Sequence, residues 1–352
     1  MMVCIRKIAI LLLALALNAC DKPGLAPKNE PYRFVIPAHF PKPAFDTGNP
    51  ASRAGVQLGR MLFYDTRLSA DNQVSCASCH DPKLAFSDGV KLSDAGVSAT
   101  ALLRNSPALF NMAWANNGLF WDGGATNLES QAFAPLTAHD EMAQDLDQLV
   151  MELNAAPAYV SGFQQAFNEP VSAQNVAKAL SQFQRSLISA DSKYDRYRLN
   201  SHGESLTVDE LKGQALVRQK CQSCRAGELF TDQSFHNNGI NSDFSNTQHE
   251  GIIQGRYRIT YEPADLGKFK TPSLRNLAFT APYMHDGRFD TLDEVVRHYS
   301  NDIKGSTTLS SHLPKEGFGF SQLEKKQIIA FLHTLNDYSF TENPNHQKLA
   351  NH

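Results

Sequence analysis

Tryptophan is scarce (two residues) and cysteine sparse (six) in this 352-residue chain, and neither sign of charge dominates it. The formal net charge is −3, the pI is near 6.5 and no basic run stands out, so the electrostatic footprint of a nucleic-acid binder is missing. Long apolar runs are missing too. The one unbroken run, residues 8–17, is shorter than the roughly 20 residues that a permanent membrane helix requires. Arg6 and Lys7 precede it and Leu17-Asn18-Ala19-Cys20 closes it, which reads as a signal peptide over residues 1–19, cleaved before Cys20.

Leu, two further residues and Cys follow the order of a bacterial lipobox, with Asn18 an unusual occupant, and imply a lipid on the Cys20 thiol. Asp21 directly after it matches the inner-membrane retention signal of some lipoproteins. The mature protein is then expected in the periplasm, held to the inner membrane by the lipid on Cys20 alone. Residues 20–50 follow as a lipid-anchor tether and extended arm, rich in Pro and polar residues and expected to carry no chemistry.

In an oxidising compartment the remaining four thiols would ordinarily suggest disulfides. They stand instead in two C-x-x-C pairs, the first being Cys76-Ala77-Ser78-Cys79 with His80 immediately after. Two thiols so spaced can add to two porphyrin vinyl groups, and the adjacent imidazole can then ligate the iron, so this is a haem c attachment motif. A helical stripe (Val56, Leu58, Gly59, Leu62, Phe63) leads into it. A Gly- and Ser-containing loop, residues 81–103, follows and is expected to lie across the haem face.

Residues 104–109 and 120–124 combine aromatic and Gly residues, the composition of a tight packing corner. Leu146, Leu149, Val150 and Leu153 keep helical spacing, as do Val176, Leu180, Phe183 and Leu187, the second helix ending near Ser189. After a polar linker, Thr207 and Glu210 form a capping box that opens a helix leading to Cys221-Gln222-Ser223-Cys224. The plan of helix followed by C-x-x-C thus repeats. It predicts a mainly α chain of two cytochrome c-like haem domains packed together, residues 51–200 and 201–342. Capping boxes at Thr291/Glu294 and Ser321/Glu324 precede a last amphipathic helix carrying Ile328, Phe331, Leu332 and Leu335. The tail, residues 343–352, is polar and expected to be mobile. One position breaks the repeat: Cys224 is followed by Arg225. A guanidinium stays protonated and cannot ligate iron, and without an imidazole the pair Cys221/Cys224 could equally be a disulfide or a metal pair.

Over about residues 52–337 the chain resembles the bacterial di-haem cytochrome c peroxidases, and especially their methylamine-utilisation branch. The strings that carry the resemblance in the first half are Leu58-Gly59-Arg60 before Cys76 to His80, then Ala85-Phe86-Ser87-Asp88-Gly89, Arg104-Asn105-Ser106-Pro107 and Phe120-Trp121-Asp122-Gly123. In the second half they are Phe230-Thr231-Asp232, Phe235-His236-Asn237, Lys270-Thr271-Pro272-Ser273-Leu274-Arg275-Asn276 and Ala281-Pro282-Tyr283-Met284-His285-Asp286-Gly287.

This resemblance implies that hydrogen peroxide is reduced at the first haem and that electrons arrive through the second. It makes His80 the proximal ligand of the peroxidatic haem and Glu129 the acid–base residue assisting peroxide cleavage. Met284 becomes the distal ligand of the electron-transfer haem, and Cys221 and Cys224 its attachment points. His236 and His285 lie in strings shared with members that have the complete motif, so neither need substitute for the missing ligand. No His occurs between Asp81 and Ala138, where many members carry a sixth ligand that must leave on activation, so an open distal position is expected. Leu119 stands where many members carry Gln. The methylamine-utilisation enzyme has Tyr where Met284 stands, which points back to a peroxidase.

The resemblance implies haem c, one at the complete first motif and a second put in doubt by Arg225, and the Ca²⁺ that family members often hold, whose ligands the sequence does not assign. The reading is an exported haem peroxidase of the cytochrome-c peroxidase type, taking electrons from a small c-type cytochrome or cupredoxin, with a homodimer left open. The alternatives are oxidation of a partner protein's Trp or Tyr, or a non-catalytic haem c electron carrier or sensor.

Overall fold

The computed structural model describes residues 30–43, 48–247 and 251–349. The signal peptide, Cys20 and residues 21–29 and 44–47 of the tether and arm lie outside these residues. The chain is mostly helical: α1 (Arg53–Phe63), α2 (Leu128–Thr137), α3 (Leu146–Asn154), α4 (Pro157–Phe167), α5 (Ala173–Ser186), α6 (Lys193–Arg198) and α7 (Val208–Cys221). Then come α8 (Tyr257–Thr260), α9 (Leu292–Asn301), α10 (Gln322–His333) and α11 (Tyr338–Thr341). The strands β1 (Phe235–His236) and β2 (Phe269–Lys270) pair antiparallel, Phe235 opposite Lys270 and His236 opposite Phe269. Among the described residues no helix is long and apolar enough to cross a membrane.

Local sequence sets the helix starts. Thr207, Thr291 and Ser321 each accept a hydrogen bond from the backbone N–H three residues on, while the Glu at that position reaches back to the cap, as the capping-box pattern predicts. The expected stripe of α1 is buried (Leu58, Gly59, Leu62 and Phe63), whereas the helix expected to end near Ser189 stops at Ser186. Periodicity did not reveal α2, α4 or α6.

Two cores result. The first gathers Leu58, Leu62, Phe63, Phe86, Phe163, Leu180 and Phe183, and the second Val217, Phe230, Val296, Ile328, Phe331 and Leu335. One device is repeated in both. Gly59 of α1 lies so close to α5 that an added Cβ would sit 1.9 Å from the carbonyl oxygen of Ala179 and 2.9 Å from Phe183 Cβ. Gly213 of α7 meets α10 in the same way, with 1.9 Å to the Gln327 carbonyl oxygen and 2.9 Å to Phe331 Cβ. These glycines are required by backbone approach, because any side chain would force the helices apart.

One expectation needs correction, that of a mobile tail, and the arm has contacts that its composition did not announce. The described part of the tail, residues 343–349, is docked: Arg60 donates to the carbonyls of Gln347 (2.7 Å) and Pro344 (2.6 Å), Tyr64 donates to that of His346, and His346 is buried against Phe86 and Phe340. The polar side chains of the tail concealed this, because its anchoring runs through backbone carbonyls. The arm also carries buried structure. Phe40 is buried and Trp114 Nε1 donates to Pro41 O at 2.8 Å. His39 Nε2 lies 2.8 Å from Asp195 Oδ1.

Asp195 is further bound by the two terminal guanidinium nitrogens of Arg275 at 2.8 and 2.7 Å, and both side chains are essentially excluded from water. Burial alone would push the Asp195 carboxyl up, but hydrogen bonds from His39, Arg275 and Ser192 outweigh it and hold it well below the usual range. The pair ties α6 to the segment after β2, and the arm closes over it, with the guanidinium 4.6 Å from the Phe40 ring centre.

Gly213→Ala is expected to lower unfolding stability by about 1–3 kcal/mol through overpacking. Gly305→Ala, where an added Cβ meets nothing within 4 Å, should change it by less than about 1 kcal/mol. Urea unfolding of the two variants checks this, and equal effects would contradict the crossing role.

Candidate haem sites

The first C-x-x-C pair enters a short 3₁₀ turn, Cys76–Ser78, with Cys79 as its cap. Burial pushes the Cys76 thiol up to about 12 and raises that of Cys79, although Ser93 Oγ, 3.4 Å away, partly offsets the latter. His80 Nδ1 donates to the carbonyl of Phe86 at 2.8 Å. A carbonyl can only accept, so the proton is on Nδ1 and the Nε2 lone pair is free. Burial lowers the His80 pKa, which keeps the ring neutral as iron ligation requires. The donor set of two thiols and one imidazole fits haem c, and Cys76, Cys79 and His80 would hold it. Phe86, the acceptor, is itself fixed by Phe63, Phe183, Phe340 and His346.

Glu129 is the second residue of α2, two positions after the Asn127 cap. Its carboxylate forms a two-pronged pair with Arg185 of α5, Oε1 at 2.6 Å and Oε2 at 2.8 Å, and Oε1 also accepts from Asn49 Nδ2 at 2.6 Å. Asn49 belongs to the arm expected to carry no chemistry. Burial alone would raise the Glu129 pKa, but the bonds from Arg185 and Asn49 prevail and lower it. The sequence could not reveal these partners, which come from distant segments.

Residues 104–109 and 120–124 do form a tight corner, and a charged one. Asp122, buried, accepts from Arg104 at 2.8 Å and Arg258 at 3.1 Å, while Trp121 Nε1 donates to Asn105 O at 2.8 Å. Trp121 stands in the wall between two adjoining cavities, together with residues 270–273, Leu277, Tyr283 and Met284. The first cavity is bounded by residues 105–112, Leu119 and Gln131, and its walls do not include His80 or Glu129.

The second cavity encloses about 1300 Å³, part of it open to solvent, and is lined by Cys221, Cys224, Arg225 and Met284 with apolar side chains from α7, α9 and α10. The thiols, the thioether and the apolar walls suit a haem; the proximal position does not. Arg225 turns its guanidinium to the carbonyl of Pro272. In the first half the side chain after the C-x-x-C pair likewise donates to a backbone carbonyl, but that imidazole keeps a second nitrogen for the metal. Arginine has no lone pair to offer. Met284, at φ +76°, places its sulfur 3.6 Å from Asn238 Nδ2. His285 is not poised as a ligand: it stacks on Phe269 with ring centres 3.5 Å apart, and burial lowers its pKa to about 3. Sequence reasoning also missed that Cys224, Asp232 and His236 come together.

Two helical cores, each with a C-x-x-C pair delivered to its edge, define a duplicated c-type cytochrome architecture. Residues 53–204 match the family model described as di-haem cytochrome c peroxidase. The chain is 38% identical over 307 residues to the methylamine utilization protein MauG of Methylorubrum extorquens, covering 86% of this chain and 83% of that protein. It is 36% identical over 362 aligned residues to cytochrome-c peroxidase IdrP1 of Pseudomonas sp. (strain SCT), covering 94% and 90%. Among solved structures, a MauG-like protein associated with microbial copper homeostasis superposes with a TM-score of 0.82 at 33% identity, over 90% of this chain and 99% of that one. The chain therefore belongs to the di-haem cytochrome c peroxidase family, whose cofactor is haem c, and is a haem peroxidase oxidoreductase.

His346→Ala is expected to remove about 1–3 kcal/mol by vacating the packing against Phe86 and Phe340. Denaturant unfolding measures it; an unchanged midpoint would show that the docked tail does not support the segment that orients His80.

Proposed function

We propose that this protein is an exported peroxidase that reduces hydrogen peroxide to water with two electrons from a small c-type cytochrome or cupredoxin and two protons. The observation that carries this reading is the pairing of a complete C-x-x-C-H motif, its histidine oriented by Phe86 O, with an ionised Glu129 held by Arg185 and Asn49. Haem c held by Cys76, Cys79 and His80 supplies the redox-active iron at which peroxide is reduced. Glu129 serves as proton carrier, taking a proton from the inner peroxide oxygen and returning it to the outer one. Its Oε2 is the atom suited to this, because Oε1 is occupied by two donors and Oε2 by one. Arg185 sets how readily the carboxylate accepts the proton. Leu119, buried in the place of a hydrogen-bonding side chain, leaves peroxide one donor fewer.

In the second half Met284 would be the distal ligand of an electron-transfer haem. With Arg225 in the proximal place, we assign haem attachment to the first motif alone and expect electron delivery to be impaired. The second reading, oxidation of a partner protein's Trp or Tyr, is favoured by the 38% identity to MauG and by the lack of a His between Asp81 and Ala138. A carrier or sensor is what remains if peroxide does not react.

Turnover with peroxide and reduced cytochrome c separates these. Saturable cytochrome oxidation supports the peroxidase, peroxide consumption with modification of a protein substrate but no cytochrome oxidation supports the second reading, and inertness toward peroxide overturns both. Glu129→Gln should lower kcat/KM by about 10²–10⁴-fold, and an unaltered rate would sink its assigned role. Arg185→Met removes the cation that lowers the Glu129 pKa. The ionised form is then lost at a higher pH, so the acid limb of the pH profile should move to higher pH.

A further inference from the structure

We propose that, in this chain, the second C-x-x-C site is a divalent metal site of the zinc class, formed by Cys224 Sγ, an Asp232 carboxylate oxygen and a His236 ring nitrogen. The inference rests on the reading that the second motif carries no haem, which leaves the Cys224 thiol free. The three donor atoms lie within 4.8 Å of one another. A tetrahedral ion with bonds of about 2.0–2.3 Å sets its ligands roughly 3.3–3.6 Å apart, so small side-chain adjustments bring all three into the coordination sphere.

The backbone already holds the ligands together. Asp232 N donates to Cys224 O at 2.9 Å, and the pairing of β1 with β2 fixes His236 beside them. His236 Nε2 lies 2.7 Å from Asp232 Oδ2, and its Nδ1 is 3.4 Å from Ser310 Oγ. An ion would replace the first of these contacts with two coordinate bonds.

The donor chemistry selects the metal. Thiolate, imidazole and carboxylate are the ligand types of Zn²⁺, whereas the carboxylate argues against Cu(I) and the thiolate against Ca²⁺ and Mg²⁺. One thiolate and one carboxylate supply two negative charges, which a divalent ion neutralises without residual buried charge. Arg225 does not compete, because its guanidinium is turned to the Pro272 carbonyl. Cys224 and His236 line the second cavity, which leaves an entry path and room for water or a substrate atom in the fourth position.

The test uses the full chain isolated from an exporting host that attaches haem. Haem per chain is measured first, then Zn²⁺ retained after dialysis against added ZnCl₂ by elemental mass spectrometry, with alkylation of Cys224 mapped by peptide mass. The expected result is one haem and one Zn²⁺ per chain, with Cys224 protected while zinc is bound. Affinity should fall at least roughly tenfold in both His236→Ala and Asp232→Asn, the latter preserving the local turn. One haem with no zinc retained, a Cys221–Cys224 disulfide in the isolated protein, or retention unaffected by both substitutions overturns the metal site and leaves the one-haem reading standing. Two haems per chain overturn that reading itself, and the zinc site with it.

Discussion

Each half of this protein is organised by a crossing of two helices so close that a backbone carbonyl fills the place of a side chain. At Gly59 the carbonyl belongs to Ala179, and at Gly213 to Gln327, with the same separation from the virtual Cβ in both. In each half an aromatic one turn further on, Phe183 or Phe331, then packs into the core around the crossing. The consequence for function is positional. The second thiol pair begins at the last residue of α7, so the depth at which α7 crosses α10 decides where Cys221 and Cys224 meet the cavity.

The two halves diverge at one side chain. The residue following each thiol pair hydrogen-bonds a backbone carbonyl, Phe86 O six residues on for His80 and Pro272 O 47 residues on for Arg225. This contact anchors the end of the attachment segment to a later stretch of backbone, and both side chains satisfy it. Only imidazole performs a second task, because once Nδ1 has donated its proton the other ring nitrogen is left with a lone pair for iron. Arginine therefore retains the structural half of the role and loses the coordinating half. The second cavity remains apolar and well formed, and the duplicated fold survives the loss of a ligand.

Much of the architecture could be read from the sequence because its signals are local. Capping boxes at Thr207, Thr291 and Ser321 act over three residues, and the stripe of α1 over three turns, so both are visible in any window. The thiol pairs and His80 are legible for the same reason. What escaped depends on partners far apart in the chain: Arg185 and Asn49 on Glu129, Arg275 and His39 on Asp195, and His346 beneath Phe86. The tail looked mobile because its side chains are polar, whereas it is fastened through carbonyl oxygens, which no composition can show. The cluster of Cys224, Asp232 and His236 is intermediate, being close in sequence but assembled by a turn and a two-residue strand.

One complete iron site on which all peroxide chemistry must rest is the central claim, and haem stoichiometry tests it most directly. Intact mass and pyridine haemochrome absorbance should give one covalent haem per chain in the native sequence and two in Arg225→His. Two covalent haems in the native protein would contradict the claim, by showing that a guanidinium at the proximal position does not prevent attachment.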